Sequence, residues 1–132
     1  MIFIDSNIPM YMVGRDLVFR DRTKALLDEL LRGGESFCTD AEVFQEILHR
    51  FRSVQRTELI GDCYEFLTRT VDYVFPVTYE SMVMAKDFVL SFPGSSAQDC
   101  VHASNMRLGG ENRILTFDRG FDRFPGIERV PR

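Results

Sequence analysis

Met1-Ile2-Phe3-Ile4-Asp5-Ser6-Asn7 opens the chain, and the fold follows from how it is read. Four apolar residues with no polar face, closed by Asp5-Ser6-Asn7 and followed by Pro9, describe a buried strand that ends in a carboxylate and runs into a helix. A strand buried on both faces belongs to a sheet covered by helices, where ligands bind in a crevice outside the carboxyl ends of the strands. Asp5 then either stands at the mouth of that crevice or caps the helix that Pro9 helps to start.

The same alternation continues outward. A short helix over Ile8 to Val13 is followed by Arg20 to Arg32, with Ala25, Leu26, Leu27, Leu30 and Leu31 at helical spacing and a stop at Gly33-Gly34. Ser36 to Thr39 reads as a strand, and the Thr39 to Glu42 spacing as a capping box opening a helix to about Arg52. A helix over Arg56 to Arg69, a strand over Val71 to Val77 and a helix over Tyr79 to Phe92 come next, the last ended by Pro93-Gly94. The Ser95 to Gln98 spacing predicts a second capping box, opening a helix that lasts to Gly109-Gly110. Arg113 to Phe117 is a strand with Asp118 directly beyond it, Asp118 to Phe124 a short helical turn, and Ile127 to Val130 an edge strand before Pro131. Strands and helices alternating at this spacing predict an α/β fold, a three-layer α/β/α sandwich around a parallel sheet.

With 132 residues, 45% of them hydrophobic, the chain suits one domain over 1–132 that buries roughly two-thirds of its unfolded surface. The opening run is too short for a signal peptide and no stretch nears the ~20 apolar residues of a membrane helix, so a soluble, cytoplasmic protein without a membrane partner is expected. Cys38, Cys63 and Cys100 form no CxxC pair and are expected to be reduced and mostly buried. His49 and His102 are too few for a histidine-based metal site. The formal charge is −4, but the bases are fourteen arginines and only two lysines, Lys24 and Lys86. That bias suits phosphate contacts and base stacking, and equally suits surface ion pairs.

Asp5 and Asp118 each follow a predicted strand, and would face each other if those strands adjoin where the strand order reverses. Asp99 lies in the first turn of a capped helix, where the dipole tolerates an anion whether or not it has a further role. Glu46 sits beside an apolar stripe, where it either enters the crevice or pairs with Arg50 one turn on. Glu42 is accounted for by its capping box, and Asp122 is either a fifth acid or a surface residue. Several carboxylates in one crevice take up protons or hold a cation; Mg²⁺ or Mn²⁺ suits oxygen ligands and would activate water against phosphorus. The residues thus point to a metal-dependent phosphodiesterase.

Ile4-Asp5-Ser6-Asn7, Glu46, Asp99-Cys100-Val101-His102-Ala103 and Leu115-Thr116-Phe117-Asp118-Arg119-Gly120-Phe121-Asp122 resemble the PIN-domain ribonucleases. With the compact length and Phe124-Pro125-Gly126, the chain is similar throughout to the VapC-type toxins of toxin–antitoxin pairs. The resemblance implies a central five-stranded parallel sheet and a catalytic acid set of Asp5, Glu46, Asp99 and Asp118 holding Mg²⁺ or Mn²⁺. Asp5 and Asp99 would be the direct metal ligands. Glu46 and Asp118 would act through waters or orient the nucleophile, with Ser6 and Thr116 in support and Asn7 where the family carries a small polar residue. It also implies an RNA substrate, a homodimer and a cognate antitoxin lying across the groove, for which Met10, Tyr11 and Met12 are either docking residues or core. With four acids on metal, sixteen acids balance sixteen bases, and Arg50, Arg52, Arg107, Arg119 and Arg123 become candidate phosphate contacts.

A receiver domain needs a lysine near the last strand, and none follows Lys86; a haloacid-dehalogenase-like phosphatase needs an aspartate where Asn7 stands. A housekeeping RNA-processing nuclease of the same fold and a non-catalytic PIN-like binding module are the remaining alternatives.

Overall fold

A computed structural model describes residues 1–131. Its centre is β1 (Ile2–Ile4), in which all three side chains are fully buried although neighbours point to opposite faces of the sheet. Both faces are therefore covered. Each such side chain contributes about 1.5–3 kcal/mol by leaving water.

The other strands are β2 (Phe37–Asp40), β3 (Tyr73–Phe75), β4 (Arg113–Leu115) and β5 (Glu128–Val130), all paired in parallel in the order β3-β2-β1-β4-β5. The chain builds outward from β1 through β2 to β3, then returns to the other side of β1 with β4. The strand order therefore reverses between β1 and β4, as the acid arrangement requires. Ile4 lies opposite Leu115 in that register, and Asp5 N donates to Leu115 O (3.1 Å).

The helices are α1 (Asn7–Val13), α2 (Leu17–Arg32), α3 (Ala41–Ser53), α4 (Ile60–Thr70), α5 (Tyr79–Ser91) and α6 (Ala97–Gly109). Several boundaries differ from the expectations, for local reasons. Helix α2 starts at Leu17 because Asp16 caps it, accepting from Phe19 N. The segment over Arg56 to Arg69 is a 3-10 turn (Thr57–Leu59) leading into α4. The strand expected over Val71 to Val77 pairs only across Tyr73–Phe75, and β4 ends at Leu115, so Asp118 is three residues beyond it.

Neither expected capping box forms. Asp40 caps α3, accepting from Val43 N (2.9 Å), while Thr39 donates its hydroxyl to Ile4 O and joins β2 to β1. Ser96 caps α6, accepting from Asp99 N, while Ser95 Oγ donates to Phe92 O. In both places the residue one position later holds the extended backbone that a cap needs.

Candidate active site

Asp5 is 4% exposed and does not cap α1 with its side chain. Its Oδ1 accepts from Ser6 N (2.8 Å), and its Oδ2 from Thr116 Oγ1 (2.7 Å) and Asn7 Nδ2 (3.4 Å). Thr116 Oγ1 also accepts from Asn7 Nδ2 and from Asp118 N, both at 3.0 Å, so one hydroxyl joins the ends of β1 and β4. Asp118 is exposed and caps the 3-10 turn Arg119–Arg123, accepting from Gly120 N (2.8 Å).

Glu46 projects from the middle of α3. Among the described residues it forms no ion pair with Arg50; Oε1 makes a short hydrogen bond with His102 Nε2, and Oε2 accepts from Ser6 Oγ (3.4 Å). Asp99 occupies the first turn of α6. Burial pushes its carboxyl up to about 7, reinforced by the charge of Asp5 and opposed by His102, with Asp118 and Glu46 adding to the rise. Burial likewise raises Asp5, against the pull of His102 and the Thr116 hydrogen bond.

His102 is the residue that sequence reasoning set aside. It follows Asp99 by three positions on α6, is fully buried, and its ring contacts those of Phe3 and Phe121. Its Nδ1 donates to Asp40 Oδ2 (2.8 Å), which also accepts from Asn105 Nδ2 (2.8 Å). Burial of the ring works against its charge, but Asp40 and Glu46 outweigh it and hold His102 well above the usual imidazole range. The Asp99 to His102 spacing and an aspartate preceding Ala41 were available signals, obscured by assigning the cap to Thr39.

Ligand atoms of Asp5, Glu46 and His102 lie within 4.8 Å of one another; Asp99 is not in that closest set but shares its field. The donors fit a divalent cation. Burial pushes the Asp5 and Asp99 carboxyls toward the neutral form despite the opposing charge of His102, and Asn7 Oδ1, beside Asp5, is buried without a hydrogen-bond partner.

Other candidates fall away from the centre. Asp122 pairs with Arg129 (3.1 Å) at the surface. Glu42 is the exception: it is half-buried, and burial raises its carboxyl, opposed by His102, with Glu46 and Asp40 adding to the rise. All three cysteines are free and buried, with Cys38 and Cys63 pushed up to about 12 by burial. Arg107 donates to Pro125 O and Arg123 to Gly94 O, so both tie loops down. Arg52 and Arg119 are exposed.

Arg50 borders two clefts. One, of about 260 Å³, opens over Ser6, Glu46 and His49. The other, of about 430 Å³, is walled by Met10, Tyr11 and Phe51. Met10 and Met12 pack partly buried against the core, whereas Tyr11 stacks on Phe19 (4.6 Å between centroids).

The PIN domain family profile matches residues 2–127. Ribonuclease VapC13 of Mycobacterium tuberculosis is 41% identical over 130 residues, covering 98% of this chain and 99% of that protein. Among solved structures, M. tuberculosis VapC20, a sarcin–ricin loop cleaving toxin, superposes with a TM-score of 0.76 at 18% identity, over 92% of this chain and 93% of that one. VapBC2 of Rickettsia felis, bound to a promoter DNA fragment, gives 0.74 at 13% identity, over 98% and 97%.

Proposed function

The chain belongs to the PIN domain family as a VapC-type ribonuclease toxin of a toxin–antitoxin system, and we propose that its crevice between β1 and β4 hydrolyses RNA phosphodiester bonds with a divalent cation. The observation that carries this reading is the convergence of Asp5, Glu46 and His102 at the reversal of strand order, with the Asp99 carboxyl coupled to them.

Asp5 and Asp99 are the proposed metal ligands, Glu46 and Asp118 the acids that orient water and substrate, and the ion Mg²⁺ or Mn²⁺. Such an ion supplies a more acidic water and neutralises charge developing on the phosphate oxygens. Thr116 and Asn7 fix the Asp5 carboxylate, and Ser6 steadies Glu46. Arg50 lies where a phosphate entering over Glu46 would meet it.

The proposed unit is one PIN domain over 1–132, acting in the cytoplasm. No helix among the described residues is long and apolar enough to cross a membrane. A cognate antitoxin is the expected protein partner, since solved relatives include toxin–antitoxin complexes. A homodimer is proposed on the exposed Tyr79, Met82, Val83 and Leu90 of α5.

The test is incubation of the native protein and an Asp99→Asn variant with a structured RNA pool in Mg²⁺, in Mn²⁺ and in chelator. Cleavage that disappears with chelator and with the substitution is the expected result. Cleavage that survives Asp99→Asn refutes the site.

A further inference from the structure

We propose that His102 Nε2 is a direct nitrogen ligand of the divalent ion, which makes the site a mixed nitrogen–oxygen one that takes Mn²⁺, or a similar first-row transition ion, in preference to Mg²⁺. The inference rests on the metal-nuclease reading above and extends it to a residue outside the acid set.

The two ring nitrogens have different surroundings. Nδ1 is held by Asp40, a carboxylate with no exposed surface whose oxygens also accept from Asn105 Nδ2 and Val43 N. That carboxylate is anchored by three donors and fixes both the ring and the proton on Nδ1. Nε2 is left facing the crevice, in contact with Glu46 Oε1 and 4.0 Å from Asp5 Oδ1. A histidine that donates one ring N–H to a buried carboxylate and turns its other nitrogen toward acids has the arrangement of a metal-bound imidazole.

The spacing agrees. Ligand atoms about 2.1 Å from a shared octahedral ion lie about 3 Å apart when adjacent and about 4.2 Å when opposed. Nε2 and Asp5 Oδ1, 4.0 Å apart, fall inside that range, whereas the full set with a Glu46 oxygen, within 4.8 Å, has to draw in by a fraction of an ångström to share one ion. Helix α6 presents Asp99 one turn before His102, so the same face brings an oxygen donor alongside the nitrogen. The buried Asn7 Oδ1, without a partner beside Asp5, is an acceptor suited to an ion-bound water.

Holding an ion would need Nε2 unprotonated: the proton it shares with Glu46 would pass to solvent, Nδ1 would keep its own proton on Asp40, and the Glu46 carboxylate would draw back to make room. Imidazole adds affinity for first-row transition ions and little for Mg²⁺, which prefers oxygen and retained water. The ion choice therefore falls to one residue.

The experiment is pulsed electron paramagnetic resonance on the native protein loaded with Mn²⁺, read for nitrogen modulation, with and without isotopically labelled histidine. Modulation that shifts with the label, survives His49→Gln and disappears in His102→Gln is expected. In competition binding, His102→Gln should lower Mn²⁺ affinity at least about tenfold while Mg²⁺ affinity changes much less. Labelling the native protein keeps the test valid even where His102→Gln does not fold. Bound Mn²⁺ without nitrogen modulation overturns the inference and leaves the nuclease reading standing, as does a parallel loss of both ions, which would make His102 only a positioner of Glu46. Native protein that binds no Mn²⁺ overturns both.

Discussion

His102 Nδ1 and Asp40 Oδ2 meet at 2.8 Å across 62 positions of chain, with neither side chain exposed. The bond ties α6 to the start of α3, the helix that carries Glu46. Asp40→Ala strands three donors at once: the His102 ring N–H, the Asn105 amide and the Val43 backbone N–H. Breaking a buried charged pair from one side costs about 3–5 kcal/mol, the lost helix cap included. Urea denaturation should show a fall of that size, and Asp40→Asn, which keeps an oxygen for the cap, a smaller one. A loss under 1 kcal/mol for Asp40→Ala would mean, on the scale of ordinary surface changes, that the pair is not structural.

In the ion-free protein, stability should fall as pH rises from about 4 to about 7. Asp99 titrates near 7 against an ordinary 3.8, and Asp5 is raised as well. The folded state thus holds more protons than the unfolded one across this window. The stabilisation is complete below the unfolded value and is lost as pH passes the folded one. The carboxyls held low by arginine, Glu35 with Arg113, Glu58 with Arg56 and Asp122 with Arg129, act in the opposite sense but only at more acidic pH. Saturating Mn²⁺ should raise Tm strongly above pH 7 and weakly near pH 5, where protons compete for Asp99. Thermal melts across that range, with and without ion, measure both effects; an ion-free Tm that climbs between pH 5 and 7 would contradict them.

The fold was legible because its signals are local. The apolar run before Asp5, the glycines after α2 and α6 and the β-branched strand residues each mark an element without reference to its neighbours. The adjacency of β1 and β4 was not legible in the same way: it stood as the condition under which Asp5 and Asp118 would face each other, and the strand order meets it. The centre of the site was harder to read. His102 touches Asp40 and Glu46 across 62 and 56 positions, and no local pattern encodes such a contact. Thr39 and Asp40 are both acceptable caps, and only the hydrogen bond from Thr39 to Ile4 O determines which is free to cap. The same limit applied to Arg107 and Arg123, whose ties to distant carbonyls are invisible in a count of bases.

Gly109→Ala should destabilise the protein and Gly61→Ala should not. A Cβ on Gly109 would sit 2.4 Å from the Phe75 ring, where α6 passes the β3 edge, whereas one on Gly61 meets nothing within 4 Å. Overpacking costs about 1–3 kcal/mol, while alanine in an open helical position gains about 0.8–1 kcal/mol over glycine. Denaturation midpoints moving in opposite directions would support this; equal shifts would mean that Phe75 swings aside freely.

Thr116→Val preserves the shape of a fully buried side chain and removes a hydroxyl that serves Asp5, Asn7 and Asp118 N. Ion affinity and kcat on RNA should fall about 10–100-fold, the usual effect of losing a partner that orients a ligand. Thr116→Ser restores the hydroxyl and should restore most of both. Unchanged kinetics in Thr116→Val would show that the Asp5 carboxylate is held adequately by Ser6 N and Asn7.

Among the candidate phosphate contacts, Arg50 has the strongest structural case, because it borders the cleft over Glu46 and forms no ion pair among the described residues. A free guanidinium that meets a phosphate displaces a counterion from the nucleic acid, so Arg50→Ala should weaken RNA binding and reduce the slope of log affinity against log salt by about 0.7–1. Arg107 differs: its guanidinium is held by Pro125 O and lies over the Phe88 ring at 4.9 Å. Arg107→Ala should therefore alter stability more than the salt slope. Binding measured at several salt concentrations with the cleavage-deficient Asp99→Asn background separates the two arginines, and equal slopes for both variants would remove Arg50 from the RNA path.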